Sequence, residues 1–156
     1  GAYIEGSPPA DAQYASQGGY IIPDGEYLWP IPNVNKYNSG FGMRFHPIKG
    51  KWRIHYGIDI GAPEGKNIIA VEGGIVSFAG NKGGYGKAVI IDHGDGTASL
   101  YGHCSKLIVK ANKPVNRGDI IAKVGSTGIS TGPHLHFEIR VNNMAADPLP
   151  YISTGS

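Results

Sequence analysis

His134-Leu135-His136-Phe137-Glu138-Ile139 is a stretch in which polar and apolar residues alternate without a break. A period of two is typical of a half-buried β-strand rather than of a helix. The pattern predicts that His134 and His136 project from one face of the strand, while the three apolar residues enter the core. Two imidazoles side by side on one face are candidates for metal binding and for proton transfer.

A second cluster, Ile54-His55-Tyr56-Gly57-Ile58-Asp59-Ile60, adds a histidine and a carboxylate four residues apart. Gly57 and the β-branched isoleucines disfavour a helix, so this is not the helical zinc motif in which a Glu lies between two His. In an extended segment positions i and i+4 share a face, so His55 and Asp59 can point at one ion. Together with a distant His they offer three N or O donors and leave one position vacant, as in a catalytic zinc site.

Length and composition exclude several classes of protein. The 156 residues carry a net charge of +2 and a single cysteine, Cys104, so no intramolecular disulfide can form. The Lys and Arg residues are scattered, which does not indicate a nucleic-acid binder. No apolar run is long enough to span a bilayer, and the amino end lacks a signal-peptide pattern. The chain begins at Gly1 and not at Met, so we expect an export signal or further domains to have been removed. Separately, we expect a monomer.

The composition divides the chain into three parts. Residues 1–27 are rich in Gly, Ala, Ser, Pro and Gln, which predicts a linker or a poorly ordered N-terminal arm. Residues 28–152 are predicted to form one globular domain, and residues 153–156 a tail.

Short β-branched or aromatic runs recur between glycines in the predicted domain. They are residues 74–78, 87–92, 97–101, 107–110, 120–124 and 134–141. Strands at this spacing, with Gly-rich turns and no long amphipathic helix, predict an all-β domain. His93-Gly94-Asp95-Gly96 predicts a hairpin turn that leaves His93 in solvent.

Six short motifs follow one another between residues 28 and 150. They are Ser39-Gly40-Phe41-Gly42-Met43-Arg44-Phe45-His46-Pro47, His55 to Asp59, Gly83-Gly84-Tyr85-Gly86, Tyr101-Gly102-His103, Gly125-Ser126-Thr127-Gly128 and His134-Leu135-His136. In this order they resemble the lysostaphin-like zinc endopeptidases of bacterial cell walls, also called LytM or M23 peptidases. The resemblance implies an antiparallel β-sheet peptidase domain with a groove formed by loops.

The resemblance also implies roles for four histidines of these motifs and for Asp59. His55, Asp59 and His136 would hold one Zn²⁺ ion, and His103 and His134 match the catalytic histidines of the family. Bound zinc lowers the pKa of water from about 16 to about 7 and polarises the scissile carbonyl. The two other histidines are then expected to share the proton transfers and the stabilisation of the oxyanion.

Three residues are expected to contact the substrate. Arg44 resembles the Arg of the subfamily motif, and its permanent charge suits a substrate carboxylate or the developing oxyanion. His46 either flanks the groove or packs. Tyr85, with the glycines around it, forms a turn or the lip of the groove. No strand-to-helix pattern follows these glycines, so they do not indicate a phosphate site.

The resemblance implies hydrolysis of amide bonds in peptidoglycan stem peptides or cross-links by an exported protein that is extracellular, periplasmic or associated with the cell wall. The stretch Arg44-Phe45-His46-Pro47 favours the cross-link from D-alanine to diaminopimelate. The alternatives are a glycyl-glycine endopeptidase and a non-catalytic wall-binding or activator module. The complete set of histidines and Asp59 favours an enzyme.

Two further residues have competing interpretations. Cys104 follows His103, but neighbours on a strand face opposite ways, so a cysteine hydrolase is disfavoured and a buried small residue is expected. Glu138 shares the face of His136 but lies about 7 Å away along the strand. It is expected behind the metal ligands or at the surface, and not on the metal.

Overall fold

A computed structural model describes residues 3–6, 26–34, 36–46 and 50–153, with the backbone alone for residues 3–6, Arg44 and His46. The regular elements of these residues are twelve strands and a short 3₁₀ turn. They are β1 (Tyr3–Gly6), β2 (Gly42–His46), β3 (Lys51–His55), β4 (Ile58–Gly61), β5 (Asn67–Ile69), β6 (Gly74–Asn81), the 3₁₀ turn (Gly83–Tyr85), β7 (Lys87–Asp92), β8 (Thr97–Leu107), β9 (Pro114–Val115), β10 (Ile120–Val124), β11 (His134–Val141) and β12 (Met144–Ala146). Among the described residues, no helix is long and apolar enough to cross a membrane.

The strands form two antiparallel sheets, which confirms the predicted all-β class. The smaller sheet has the order β1-β3-β2. The larger sheet has nine strands and a main path β12-β11-β8-β7-β6-β9, with β4 paired to β11 and β10 paired to both β5 and β8. Strand β11 is therefore flanked by β4 and β8, and His136 lies between Asp59 on β4 and Gly102 on β8.

Both faces of β11 are buried. Leu135, Phe137 and Ile139 have no exposed surface, as the alternation predicts. His136 and Glu138 on the opposite face are also fully buried, so the prediction of a half-buried strand is wrong. The 3₁₀ turn covers that face, because the ring of Tyr85 lies 5.4 Å from the ring of His136. The polar face of β11 is the interior of a site, and not a solvated surface.

Strands β7, β10 and β11 coincide with three predicted runs, but the prediction for β8 is wrong. The sequence predicts separate strands at residues 97–101 and 107–110, whereas one strand continues from Thr97 to Leu107. Gly102 and His103 interrupt the β-branched pattern, and His103 has a φ of 62°. The ladder nevertheless continues across them, since Gly102 pairs with His136 and Cys104 pairs with Val124.

His93 does not lie in solvent as predicted. Its Nδ1 is 2.8 Å from the carbonyl oxygen of Gly73, and its Nε2 is 3.0 Å from the hydroxyl of Ser99. Its ring also lies 5.3 Å from that of Tyr27. Both ring nitrogens are thus engaged in packing the hairpin turn against the core, so this histidine is structural.

The amino-terminal part of the chain contributes a strand to the small sheet and a side chain to the core. Strand β1 pairs with β3 in antiparallel register, although the composition of residues 1–27 does not predict a strand there. Tyr3 and Ile4 are residue types that favour β-strands. Tyr27 is 8% exposed and belongs to the core. The division into arm, domain and tail otherwise stays a prediction.

Gly57 permits a close approach between β4 and β11. A Cβ at this position would lie 2.2 Å from the carbonyl oxygen of Phe137. Gly57→Ala should therefore force the two strands apart and lower the free energy of unfolding by about 2 kcal/mol or more, measured by urea denaturation. Gly132→Ala is the matched control, because its Cβ would meet nothing within 4 Å. Equal stability of the two variants would contradict this account.

Candidate metal centre

An open cleft of about 510 Å³ lies between the small sheet and the loop that precedes β11. Its lining residues are Asn38, Ser39, Arg53, Asp59, Gly61, Ile129, Ser130, Thr131, Gly132, Pro133 and His134. Asp59 and His134 form its floor, where β4 and β11 meet. The cleft corresponds to the groove formed by loops that the family resemblance implies.

The structure brings His55, Asp59 and His136 together. The Nε2 of His55 lies 3.3 Å from Oδ1 of Asp59, and the Nδ1 of His136 lies 2.9 Å from the same oxygen. The three donor atoms all lie within 4.8 Å of one another. Ligand atoms on one tetrahedral zinc ion are about 3.4 Å apart, given bonds of about 2.1 Å. The donors therefore already have the spacing that one ion needs.

Hydrogen bonds determine which ring nitrogen of each histidine carries the proton. His55 donates from Nδ1 to the carbonyl oxygen of Gly40 at 2.8 Å, so its Nε2 presents a lone pair to Asp59. His136 is reversed, because its Nε2 lies 2.8 Å from Oε2 of Glu138 and its Nδ1 lies 2.9 Å from Oδ1 of Asp59. When Nε2–H donates to Glu138, Nδ1 presents its lone pair to Asp59. Two nitrogen lone pairs and a carboxylate oxygen at these distances repel one another unless a cation lies between them.

The titration behaviour of the cluster agrees with a site for a cation. Burial would lower the pKa of His136, but hydrogen bonds and charges of Asp59 and Glu138 outweigh it and raise that pKa. Burial would likewise raise the pKa of Asp59, yet its hydrogen bonds with His136 and His55 hold it far below the usual range. A proton on His136 or a metal ion among the donors would supply the positive charge, and a metal ion would displace such a proton. The residues present fit a zinc ion.

A buried carboxylate stands behind His136. Glu138 is fully buried, and its Oε2 accepts hydrogen bonds from His136 and from the hydroxyl of Tyr85 at 2.6 Å. Its Oε1 accepts from Nε of Arg140 at 2.9 Å. Burial would raise the pKa of Glu138, but His136 and Arg140 outweigh it and lower that pKa. Of the two positions expected for Glu138, the structure therefore gives the one behind the ligands.

Arg140 was missed by the sequence analysis, although the same alternation contains its signal. Residues 134, 136, 138 and 140 share one face of β11. The side chains close the distance along the strand, since Arg140 reaches back to Glu138 and Glu138 reaches back to His136.

Removal of the Glu138 carboxylate should weaken metal binding. A carboxylate that accepts the second ring N–H of a metal-bound His orients the ring and raises its basicity, and its loss costs about 10- to 100-fold in affinity. We expect zinc affinity to fall by about 10-fold in Glu138→Gln and by about 100-fold in Glu138→Ala, measured by competition with a zinc chelator. Asp147→Asn is the control, because Asp147 is also buried but accepts its bond from Leu149. An unchanged zinc affinity in Glu138→Ala would refute this role.

His103 and His134 lie beside the three donors, with ring centroids 4.7 Å apart. His103 donates from Nδ1 to the carbonyl oxygen of Thr127 at 2.7 Å, and His134 donates from Nδ1 to that of Gly132 at 2.9 Å. The Nε2 of His103 is buried and has no hydrogen-bond partner among the described residues. The Nε2 of His134 lies 3.8 Å from Oδ1 of Asp59. Both histidines thus present a lone pair toward the centre.

Burial favours the neutral form of both imidazoles. Burial lowers the pKa of His103 to about 4, and burial also lowers the pKa of His134. Neutral imidazoles are able to accept a proton, which is the function that a general base needs.

The backbone of His103 is strained, since its φ of 62° is unusual for a residue other than glycine. Its hydrogen-bond partner is firmly held, because the Thr127 hydroxyl donates to the carbonyl oxygen of Cys104 at 2.6 Å. Strain of this kind persists only where the surrounding contacts hold the residue in place, and such residues cluster at functional sites. Cys104 itself is fully buried, and burial raises the pKa of its thiol to about 12, as suits a packing residue.

The three residues expected to contact substrate have different outcomes. Arg44 and His46 lie on β2, and their side chains are outside the described part of the chain. The hydroxyl of Tyr85 is engaged with Glu138, and its ring packs against His136. Contact with substrate stays a prediction for all three.

Residues 53–148 match the model of peptidase family M23. The chain belongs to this family. It is 47% identical over 114 residues to the DD-carboxypeptidase/endopeptidase Mpg of Neisseria meningitidis serogroup B, which covers 73% of this chain and 26% of that protein. The chain therefore spans about a quarter of the length of this relative. The prediction of a LytM or M23 peptidase fold is confirmed.

Two solved structures of M23-type peptidases resemble this one. A zinc containing peptidase from Vibrio cholerae has a TM-score of 0.74 and 33% identity, over 80% of this chain and 39% of that chain. The catalytic domain of lysostaphin from Staphylococcus simulans has a TM-score of 0.68 and 37% identity, over 76% of this chain and 92% of that chain. The second comparison shows that the fold corresponds to nearly the whole of an isolated catalytic domain.

Proposed function

We propose that this M23 chain is the peptidase domain of a zinc-dependent endopeptidase that hydrolyses amide bonds in peptidoglycan peptides. The observation that carries the proposal is the convergence of three donor atoms beside two neutral imidazoles on the floor of an open cleft. The mixture of imidazole and carboxylate donors suits zinc better than a soft-ligand metal. Similarity to a zinc containing peptidase supports the same metal.

His55, Asp59 and His136 would hold the ion, which when bound would lower the pKa of a water molecule and polarise the scissile carbonyl. The remaining chemistry falls to His103 and His134. Each keeps an Nε2 lone pair, that of His134 lies 3.8 Å from Asp59, and the two rings are close enough to act on the same group. Together they would take the proton from water and deliver it to the leaving amine.

The substrate we favour is the cross-link from D-alanine to diaminopimelate. Support comes from Mpg, a relative named as a DD-carboxypeptidase/endopeptidase, at 47% identity. Such a protein would act where peptidoglycan lies, in the periplasm or the cell wall. We propose that it acts as a monomer, in which one chain supplies the five residues of the centre.

The decisive experiment is mass spectrometry of fragments released from defined peptidoglycans by the purified chain. One substrate carries D-alanyl to diaminopimelate cross-links and the other carries glycine bridges. We expect cleavage of the first, loss of cleavage with phenanthroline, and recovery when zinc is added back. Cleavage of glycine bridges alone would overturn the substrate assignment. No cleavage of either by zinc-loaded protein would favour the activator alternative.

A further inference from the structure

We propose that the side chain of Thr127 is a positioning group for His103. Its hydroxyl fixes the main-chain carbonyl that holds the imidazole in the tautomer and orientation needed for proton transfer. The inference rests on the proposed function and deepens it, because it assigns the group that prepares one of the two histidines for their role. Thr127 belongs to the motif Gly125-Ser126-Thr127-Gly128, which has no other part in the proposed mechanism.

One hydrogen bond decides the tautomer of His103. Its Nδ1 lies 2.7 Å from the carbonyl oxygen of Thr127, and a carbonyl can only accept, so Nδ1 carries the proton and Nε2 keeps a lone pair. Nε2 is buried and has no hydrogen-bond partner in the part of the chain that the structure describes. A ring with its proton on Nε2 would present an N–H where a base is needed. The place of the Thr127 carbonyl therefore determines whether His103 can accept a proton.

The hydroxyl of Thr127 ties that carbonyl to two strands. Its Oγ1 donates to the carbonyl oxygen of Cys104 at 2.6 Å and accepts from the main-chain N–H of Lys87 at 3.0 Å. Cys104 follows His103 on β8, and Lys87 is the first residue of β7. The hydroxyl thus joins the loop between β10 and β11 directly to the strand that carries His103. The carbonyl and the ring that it holds keep one relative position as a result.

Close main-chain packing brings the loop to these partners. A Cβ on Gly86 would lie 2.4 Å from the carbonyl carbon of Thr127, and a Cβ on Gly128 would lie 2.4 Å from the main-chain nitrogen of Gly86. The main-chain N–H of Ile129 also donates to the carbonyl oxygen of Gly84 at 2.9 Å. The loop therefore lies directly on the 3₁₀ turn, and the Thr127 hydroxyl reaches both strands without a gap.

The strained backbone of His103 gives this anchor a purpose. A φ of 62° is unfavourable for a residue with a Cβ, and relaxation toward negative φ would swing the ring away from the centre. The bond from Oγ1 to the carbonyl of Cys104 is made at the adjacent residue of β8 and opposes this relaxation. The same hydroxyl thus restrains the ring through its hydrogen-bond acceptor and through its own strand.

The test replaces the hydroxyl without changing the shape of the side chain. Thr127→Val removes both hydrogen bonds, and Thr127→Ser keeps the hydroxyl. Thr97→Val is the matched control, because the hydroxyl of Thr97 also has two partners, Tyr27 and Asp95, and neither belongs to the metal centre. The experiment measures kcat and KM on the cross-linked muropeptide dimer, and zinc affinity by chelator competition on the same preparations.

Thr127→Val should lower kcat by about 10- to 100-fold and leave KM and zinc affinity within about twofold, because a displaced base acts only on the reacting bond. Thr127→Ser should recover most of the lost kcat, and Thr97→Val should match wild type in all three quantities. Wild-type kcat in Thr127→Val would overturn the inference. An equal loss in Thr127→Ser, or a parallel loss of zinc affinity, would overturn it as well, since the role would then be structural.

Nitrogen NMR of isotope-labelled histidine separates this inference from the proposed function. The spectra show which ring nitrogen carries the proton, and the signals of His103 are those missing from His103→Asn. We expect zinc-loaded wild type and Thr127→Ser to hold one tautomer, protonated at Nδ1, and Thr127→Val to populate both. This result supports the positioning role even if no peptidoglycan bond is cleaved, which would reject only the peptidase activity. A proton on Nε2 in wild type, or unchanged His103 signals in Thr127→Val, would reject the positioning role.

Discussion

His136→Ala should abolish metal binding and peptidase activity together. The change removes one of three donors, and it leaves the fully buried Glu138 without its imidazole partner. Zinc sites with four protein ligands bind with about 10–16 kcal/mol, or about 3 kcal/mol for each ligand, so the loss should exceed 100-fold in affinity. Metal content after dialysis and chelator competition measure the effect.

His93→Gln is the matched control for this variant. His93 is also hydrogen-bonded through both ring nitrogens, but its partners are Gly73 and Ser99, which are not residues of the metal centre. We expect this variant to lose some stability and to keep its zinc affinity. Retention of zinc at wild-type affinity by His136→Ala would contradict the three-donor centre.

His103→Ala should keep zinc and lose turnover by about 10²- to 10⁴-fold, the usual range for a general acid or base. His103 is not one of the donors, and its Nδ1 is bonded to Thr127, so the metal affinity has no reason to change. The experiment measures kcat for fragment release and zinc affinity on the same preparation.

The backbone of His103 requires a second variant, because alanine is strained at its φ of 62°. Asparagine tolerates this region better, so His103→Asn separates loss of the imidazole from local misfolding. Both variants should show the same loss of turnover with wild-type zinc content. Full turnover in either one would remove His103 from the mechanism, and a parallel loss of zinc would give it a structural role instead.

Much of the fold follows from patterns that single strands carry. The alternation of residues 134–139 and the β-branched runs at 87–92 and 120–124 coincide with β11, β7 and β10. Strand β8 does not follow from its own sequence, because Gly102 and His103 break the β-branched run. Its continuity comes from pairing with β11 up to Gly102 and with β7 and β10 from Cys104 onward, which are contacts between distant residues.

Burial of polar residues is the second feature that local patterns cannot predict. The alternation in β11 is the same whether its polar face meets water or a site. The 3₁₀ turn decides this by placing Tyr85 over His136, and that contact spans 51 positions of the chain, from 85 to 136. His93 shows the same limit, since its turn sequence is typical of a solvated hairpin while its two partners lie elsewhere.

The candidate site also has a part that the sequence predicts and a part that it does not. The spacing of His55 and Asp59, with the pair at 134 and 136, predicts a metal centre from residue type alone. The groups that orient these rings are mostly backbone carbonyls, at Gly40, Thr127 and Gly132. Carbonyl oxygens occur at every residue, so no sequence signal marks the ones that matter.

The reversed orientation of His136 has a consequence for variation among such centres. Of the four imidazoles of the centre, three are held by main-chain carbonyls, which substitution cannot delete, and His136 is held by a side chain, Glu138. Substitutions at position 138 could therefore change how strongly His136 donates electrons to the ion, while the hydrogen bonds that orient the other three rings stay unchanged. Position 138 is therefore the first residue to vary in a screen for altered metal preference.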